Sequence, residues 1–227
     1  MFTSIVWMNI VQPPQQKAHG AIMKLFYSPG ACSLAPHIVL REAGQLFSLV
    51  KVDLGQHQTT EGEDYFAINP KGSVPLLELG DGTRISEGPV IAQFVSDQNQ
   101  ATSLMPPAGT MARYRVMEWQ NYITSELHKG FSPLFNAELG ADAKQILSTV
   151  LFNKLGWVNS QLAGQSYLTG TTFTAADAYL FVVLGWTKHV GLDISSLSHV
   201  QRFVTMVSQR PAVREAMKAE GLLAPDA

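Results

Sequence analysis

A mixed α/β unit followed by an all-helical unit is the fold class that this 227-residue sequence predicts. Three observations predict it. Strand and helix signals run β-α-β and then β-β-α up to about residue 100, a proline-bearing connector follows, and beyond it only helical periodicity appears. The implied boundaries are an extension over 1–22, a sheet unit over 23–100, a linker over 101–109 and a helical unit over 110–227.

The apolar run over 2–11 has no basic residue before it, and Pro13-Pro14-Gln15-Gln16-Lys17 reads as a connector, so no function is assigned to the extension. Met23 opens the first clear pattern. Residues 24–27 read as a strand stopped by Ser28-Pro29-Gly30, and 33–43 as a helix ended by Gly44. A second strand is expected over 47–52. A hairpin is expected from 74–79 and 84–86 around Gly80-Asp81-Gly82, and Pro89 starts a helix over 90–96. Past Pro106-Pro107, Val116, Trp119, Ile123 and Leu127 recur at i, i+3, i+7 and i+11, the core stripe of one long helix, with Asn121, Ser125 and His128 on a polar stripe beside it. Thr174 as N-cap and Asp177 three residues on form a capping pair, ahead of a helix that is apolar nearly all round through Trp186 and is therefore expected to be central.

Composition excludes several functions. Apolar residues make up 46% and charged residues 15%, against about 25% in typical domains, so the chain can bury a sizeable core. A net charge of −2 without any Lys/Arg run argues against nucleic acid as a partner, and no stretch of about 20 apolar residues predicts a membrane span. Cys32, the one cysteine, excludes an internal disulfide framework and fits a reducing, cytoplasmic setting. Histidine spacing suggests no metal site, and no phosphate-binding glycine loop is present, so no nucleotide cofactor is expected.

The chemical candidates are few. Cys32 falls at a loop-to-helix junction, where free N–H groups and the helix dipole favour a thiolate; the alternative is a small buried hydrophobe. Position 35 is alanine, so there is no C-x-x-C pair and a redox cycle would take its second thiol from outside. His128 is either a catalyst or a solvated partner of a helix end. Val74 ahead of Pro75, a candidate cis proline, can offer backbone to an added peptide strand, and Glu87-Gly88 precedes a helix start able to receive a carboxylate; ordinary turn and capping chemistry is the alternative for both.

The stretches 23–34 (MKLFYSPGACSL), 69–75 (NPKGSVP), Glu87-Gly88, 126–131 (ELHKGF) and 173–181 (FTAADAYLF) together resemble the cytosolic glutathione transferases, specifically the bacterial beta class, over nearly the whole chain from Met23. The resemblance implies a thioredoxin-like N-terminal domain, a helical-bundle C-terminal domain and a homodimer with glutathione at each domain cleft. It places Cys32 and His128 at the glutathione sulfur, pairs Val74 beside cis-Pro75 with the tripeptide backbone, and sets Glu87 and Gly88 at the γ-glutamyl end. Asn121 and Glu126 reach the partner subunit's ligand, and His57 stands near the glycyl carboxylate where related chains often have lysine. Gly88 replaces the serine of many transferases, leaving the backbone to hold the γ-glutamyl carboxylate. Phe131, Phe135 and Trp186 supply an apolar acceptor wall, with core packing the alternative for Trp186. The function implied is detoxifying conjugation of glutathione, a co-substrate rather than a cofactor, to small hydrophobic electrophiles, with thiol-disulfide reductase or peroxidase activity through Cys32 beside it. The alternative is a glutathione-binding redox or stress-interaction protein with little turnover.

Overall fold

Leu25 is wholly buried at the centre of the first strand, and the sheet is assembled outward from it. In this computed structural model, which describes residues 22–223, β1 (Met23–Tyr27) pairs in parallel with β2 (Phe47–Asp53), Met23 opposite Phe47, and antiparallel with β4 (Leu76–Glu78). The hairpin partner β5 (Arg84–Ser86) and the two-residue β3 (Gln58–Thr59) complete the order β3-β2-β1-β4-β5. A parallel neighbour requires a crossover, and α1 (Leu34–Glu42) supplies it. The expected strands and helices of this unit are all present, with the third strand beginning at Leu76 rather than at Val74, where the Val74–Pro75 bond is cis. Both β3 and the four-residue α2 (Tyr65–Ile68) escape sequence reading because neither is long enough to show a period. The extension lies outside the described residues, save Ile22.

Helix α3 (Gly88–Gln98) closes the sheet unit, and α4 (Met111–Tyr122) opens the helical one, with Thr110 capping the Arg113 N–H. Arg113 itself is buried and staples the connection: its guanidinium reaches both Asp97 oxygens at 2.8 and 2.9 Å and the Pro106 carbonyl at 3.1 Å. The long helix read from the sequence is interrupted. A π-helical turn, Ile123–His128, follows α4, and α5 (Lys129–Phe131) and a 3₁₀ turn, Ser132–Phe135, carry the chain onward. Val116, Ile123 and Leu127 still face the core, whereas Trp119 is only half-buried, stacked against Tyr122 and Trp157 of α6 (Ala141–Gln161).

As its composition requires, α7 (Ala175–Gly185) is central, buried along Ala175 to Leu184 and packed on α1 and on α4. Its start is the expected capping box: the Asp177 carboxylate accepts the Thr174 N–H at 2.8 Å and the Thr174 hydroxyl at 2.7 Å, while the Leu168 N–H adds a third donor at 2.8 Å. Two amphipathic helices, α8 (Ser198–Ser208) and α9 (Pro211–Ala219), finish the bundle. The second of them packs on α1 and brings Glu220 into the space between the two units. Among the described residues no helix is long and apolar enough to cross a membrane.

Candidate functional site

Between the sheet unit and the helical unit lies a cleft of about 800 Å³, within the size range of small-molecule sites. From the sheet unit come the Gly30–Cys32 loop, Val74, Pro75, Glu87 and Gly88, and from the helical unit His128, Phe135 and Trp186. Five segments far apart in sequence thus meet around Cys32. Four expected residues fall elsewhere. Phe131 is fully buried and touches only the back of the wall, edge-on to Trp186 with ring centroids 5.8 Å apart. His57 stacks on Phe66 at 4.2 Å, outside the cleft lining. Asn121 is exposed, and Glu126 is paired with Lys154 of α6 at 2.8 Å. Trp186 lines the cleft and is only 7% exposed.

The loop ahead of Cys32 is clamped from the far side of the cleft. Gly30 takes a φ of +70°, the left-handed conformation that glycine tolerates. Its N–H donates to Glu220 Oε2 at 3.0 Å, and its carbonyl accepts the Trp186 indole N–H at 2.8 Å. The other oxygen of Glu220 lies 2.8 Å from His37 Nδ1, and Arg41 Nε donates to His37 Nε2 at 2.9 Å. Because Nε2 is thereby an acceptor, the proton sits on Nδ1, and the ring passes the pull of the guanidinium to a carboxylate whose side chain is wholly buried. Sequence reading had no access to Glu220 here, since 190 residues separate it from Gly30.

The expectation of an acidified thiol is overturned. Burial pushes the Cys32 thiol up to about 11, outweighing the lowering pull of the Cys32 and Ser33 N–H groups. Its sulfur lies 3.2 Å from the Val74 carbonyl, an acceptor that favours S–H over S⁻. Iodoacetamide labelling of the unliganded protein at pH 7 is therefore expected to run about 100-fold slower than that of a free thiol and to keep accelerating beyond pH 10. A rate matching free cysteine would show that the sulfur is open and anionic.

His128 is half-buried at the cleft and uncharged at neutral pH. Burial, with Lys129 beside it, presses its pKa down to about 4. Its Nδ1 lies 2.6 Å from the Tyr179 hydroxyl, which burial holds protonated. When Tyr179 donates to Nδ1, the neutral ring carries its proton on Nε2 as a donor. Glu87, at a φ of +71°, meets Lys71 Nζ at 2.7 Å. A Cβ at Gly88 would stand 3.9 Å from Pro36 and Pro75, so the backbone there is open to a ligand without glycine being sterically required. Tyr179, Gln120 and Thr124 line the cleft and were not singled out from the sequence; Tyr179 is hidden there by the apolar character of its helix. Among the described residues no group of three or more His, Cys, Asp or Glu could hold a metal ion.

Comparison with known proteins agrees with this architecture. Family models for the glutathione S-transferase N-terminal and C-terminal domains match residues 30–98 and 141–219. The glutathione S-transferase GstA of Escherichia coli O157:H7 is 48% identical over 88% of this chain and all of its own. A glutathione transferase of Methylococcus capsulatus superposes with a TM-score of 0.86 at 46% identity, covering 89% of this chain and all of that one. The bacterial beta-class enzyme of Sphingomonas chungbukensis and a sphingomonad glutathione S-transferase complexed with glutathione follow at 0.85 and 0.84, each 44% identical over 88% of this chain and 100% of theirs. On the sequence, the paired domains and the cleft between them, the chain belongs to the glutathione S-transferase family, with members of the bacterial beta class among its structural neighbours.

Proposed function

We propose that this protein conjugates glutathione to small hydrophobic electrophiles, a detoxifying reaction in the cytoplasm carried out by a homodimer. The observation that carries the reading is the convergence of Cys32, Val74, Pro75, Glu87 and Gly88 with His128 in one interdomain cleft. Glutathione lies along Val74 and Pro75 as an added strand, its γ-glutamyl end at Glu87 and the Gly88 N–H and its sulfur between Cys32 and His128. It enters as co-substrate, and the reading needs no resident cofactor. The N–H groups at the start of α1 and a neutral His128 donor stabilise the thiolate, which attacks the electrophilic carbon, forms the C–S bond and expels the leaving group. Trp186 and Phe135, ring centroids 5.9 Å apart, give the acceptor an apolar wall. In the homodimer, the exposed Asn121 and the neighbouring Glu126 face the partner's ligand.

A high Cys32 pKa favours conjugation over thiol-disulfide exchange, because exchange needs the protein's own thiolate. With 1-chloro-2,4-dinitrobenzene and hydroxyethyl disulfide assayed side by side, the wild type should turn over the first efficiently. Cys32→Ala should keep appreciable conjugation while losing disulfide reduction, and His128→Ala should lower conjugation kcat/KM by about tenfold or more. Absence of conjugation in the wild type, with glutathione binding intact, would leave a binding protein instead.

A further inference from the structure

The acceptor half of the cleft carries a cation that no carboxylate holds. Lys129 opens α5, and Lys129, Ser132 and Phe135 fall three residues apart, all three lining the cleft. One edge of the chain thus offers an ammonium, a hydroxyl and an aromatic ring, and the Trp186 ring stands 5.9 Å from that of Phe135. Other lysines near the site are committed, Lys71 to Glu87 and Lys154 to Glu126, whereas among the described residues the exposed Lys129 side chain enters no hydrogen bond and no ion pair. Its charge reaches the reacting centre, opposing the burial that raises the Cys32 thiol and adding to the burial that lowers His128. Of the described residues that line the cleft, Glu87 is the one carboxylate, and Lys71 already meets it at 2.7 Å. The glutathione half therefore has its charges matched within the protein, and the acceptor half does not. An anion carried on an aromatic ring completes it, the ring lying on Phe135 and Trp186 and the anion meeting Lys129. Once the acceptor displaces water from the cleft, such a pair is worth more than the same two charges on an open surface.

We propose that Lys129 selects electrophiles that carry a carboxylate or a similar anion on an aromatic ring, and that these are the acceptors to which the cleft is matched. The inference rests on the transferase reading and names the substrate class of that site. Lys129 acts as a point charge on a flexible stem, so arginine can stand in for it and glutamine cannot.

Two aryl chlorides of matched shape test it, 4-chloro-3,5-dinitrobenzoate and 4-chloro-3,5-dinitrobenzamide. The glutathione thiolate adds to the carbon that bears chlorine and forms the C–S bond, the displaced π electrons rest on the nitro groups, and their return expels chloride. Each kcat/KM is divided by the uncatalysed rate with glutathione, which removes the difference in intrinsic reactivity. The corrected ratio of benzoate to benzamide should be about tenfold or more in the wild type, be kept in Lys129→Arg, fall to about one in Lys129→Gln and drop below one in Lys129→Glu. Added sodium chloride should lower the wild-type ratio too, a reading that needs no variant. A wild-type ratio near one overturns the proposal, as does a ratio that salt leaves unchanged. So does a fall by the same factor for both acceptors in Lys129→Gln, which would make the ammonium a partner of the glutathione thiolate instead. Failure to conjugate either acceptor or 1-chloro-2,4-dinitrobenzene would bring down the transferase reading and this selectivity with it.

Discussion

Asp177→Ala should lower the unfolding free energy by about 3 kcal/mol, read as a shift in the urea midpoint at unchanged slope. The carboxylate is wholly buried and holds three donors, from the Leu168 N–H and from the N–H and hydroxyl of Thr174. Alanine leaves two buried N–H groups unpaired, each costing about 1–3 kcal/mol. Part of that is offset, because burial pushes the Asp177 pKa up to about 6, so the native state carries a cost for the charge that the variant no longer bears. Since α7 packs against α1 and α4, the loss is felt by both units rather than by one helix end. A change below about 1 kcal/mol would reduce the pair to an ordinary surface cap.

Glu220→Ala should be comparably destabilising, by about 3 kcal/mol, and should also lower kcat/KM. Removing this carboxylate takes the acceptor from the buried His37 N–H and from the partly buried Gly30 N–H. The first effect is on stability; the second follows because Gly30 is two residues from Cys32 and is held on its other side only by the Trp186 indole among its hydrogen bonds. Glu220→Gln separates the two effects. It keeps one acceptor oxygen for Gly30 or His37, so it should retain more stability than alanine while still loosening the loop. Equal stability of all three proteins would show that the clamp is dispensable.

What the chain's residues announce in advance is whatever local chemistry dictates. Ser28-Pro29-Gly30 stops a strand wherever it occurs, Thr174 with Asp177 starts a helix, and the apolar run over 175–184 has to be central. Cys32, His128, Val74 and Glu87 were visible as residues in suggestive local settings, and the structure gathers them into one cleft. The thiol's acidity is not legible in the sequence because a loop-to-helix position is local whereas the desolvation of the sulfur is not: segments from both units line the cleft around it. Glu220 was invisible for the same reason. It has no unusual neighbour in sequence, and it acquires its role only from what packs over it.

The π-helical turn at Ile123–His128 makes residue count, not only residue type, part of the site. Its i→i+5 bonding accommodates one residue more than an α-helical turn, and each helical residue advances the bearing of its side chain by about 100°. A point substitution in this turn exchanges one group and leaves the others aimed as they were. Loss of a single residue would return the turn to α-helical bonding and re-aim the side chains within it, so that His128 would lose its place opposite Tyr179. The stretch from Trp119 to Phe131 is thus constrained in length as a gear is constrained in its number of teeth, however freely the individual side chains on it are exchanged.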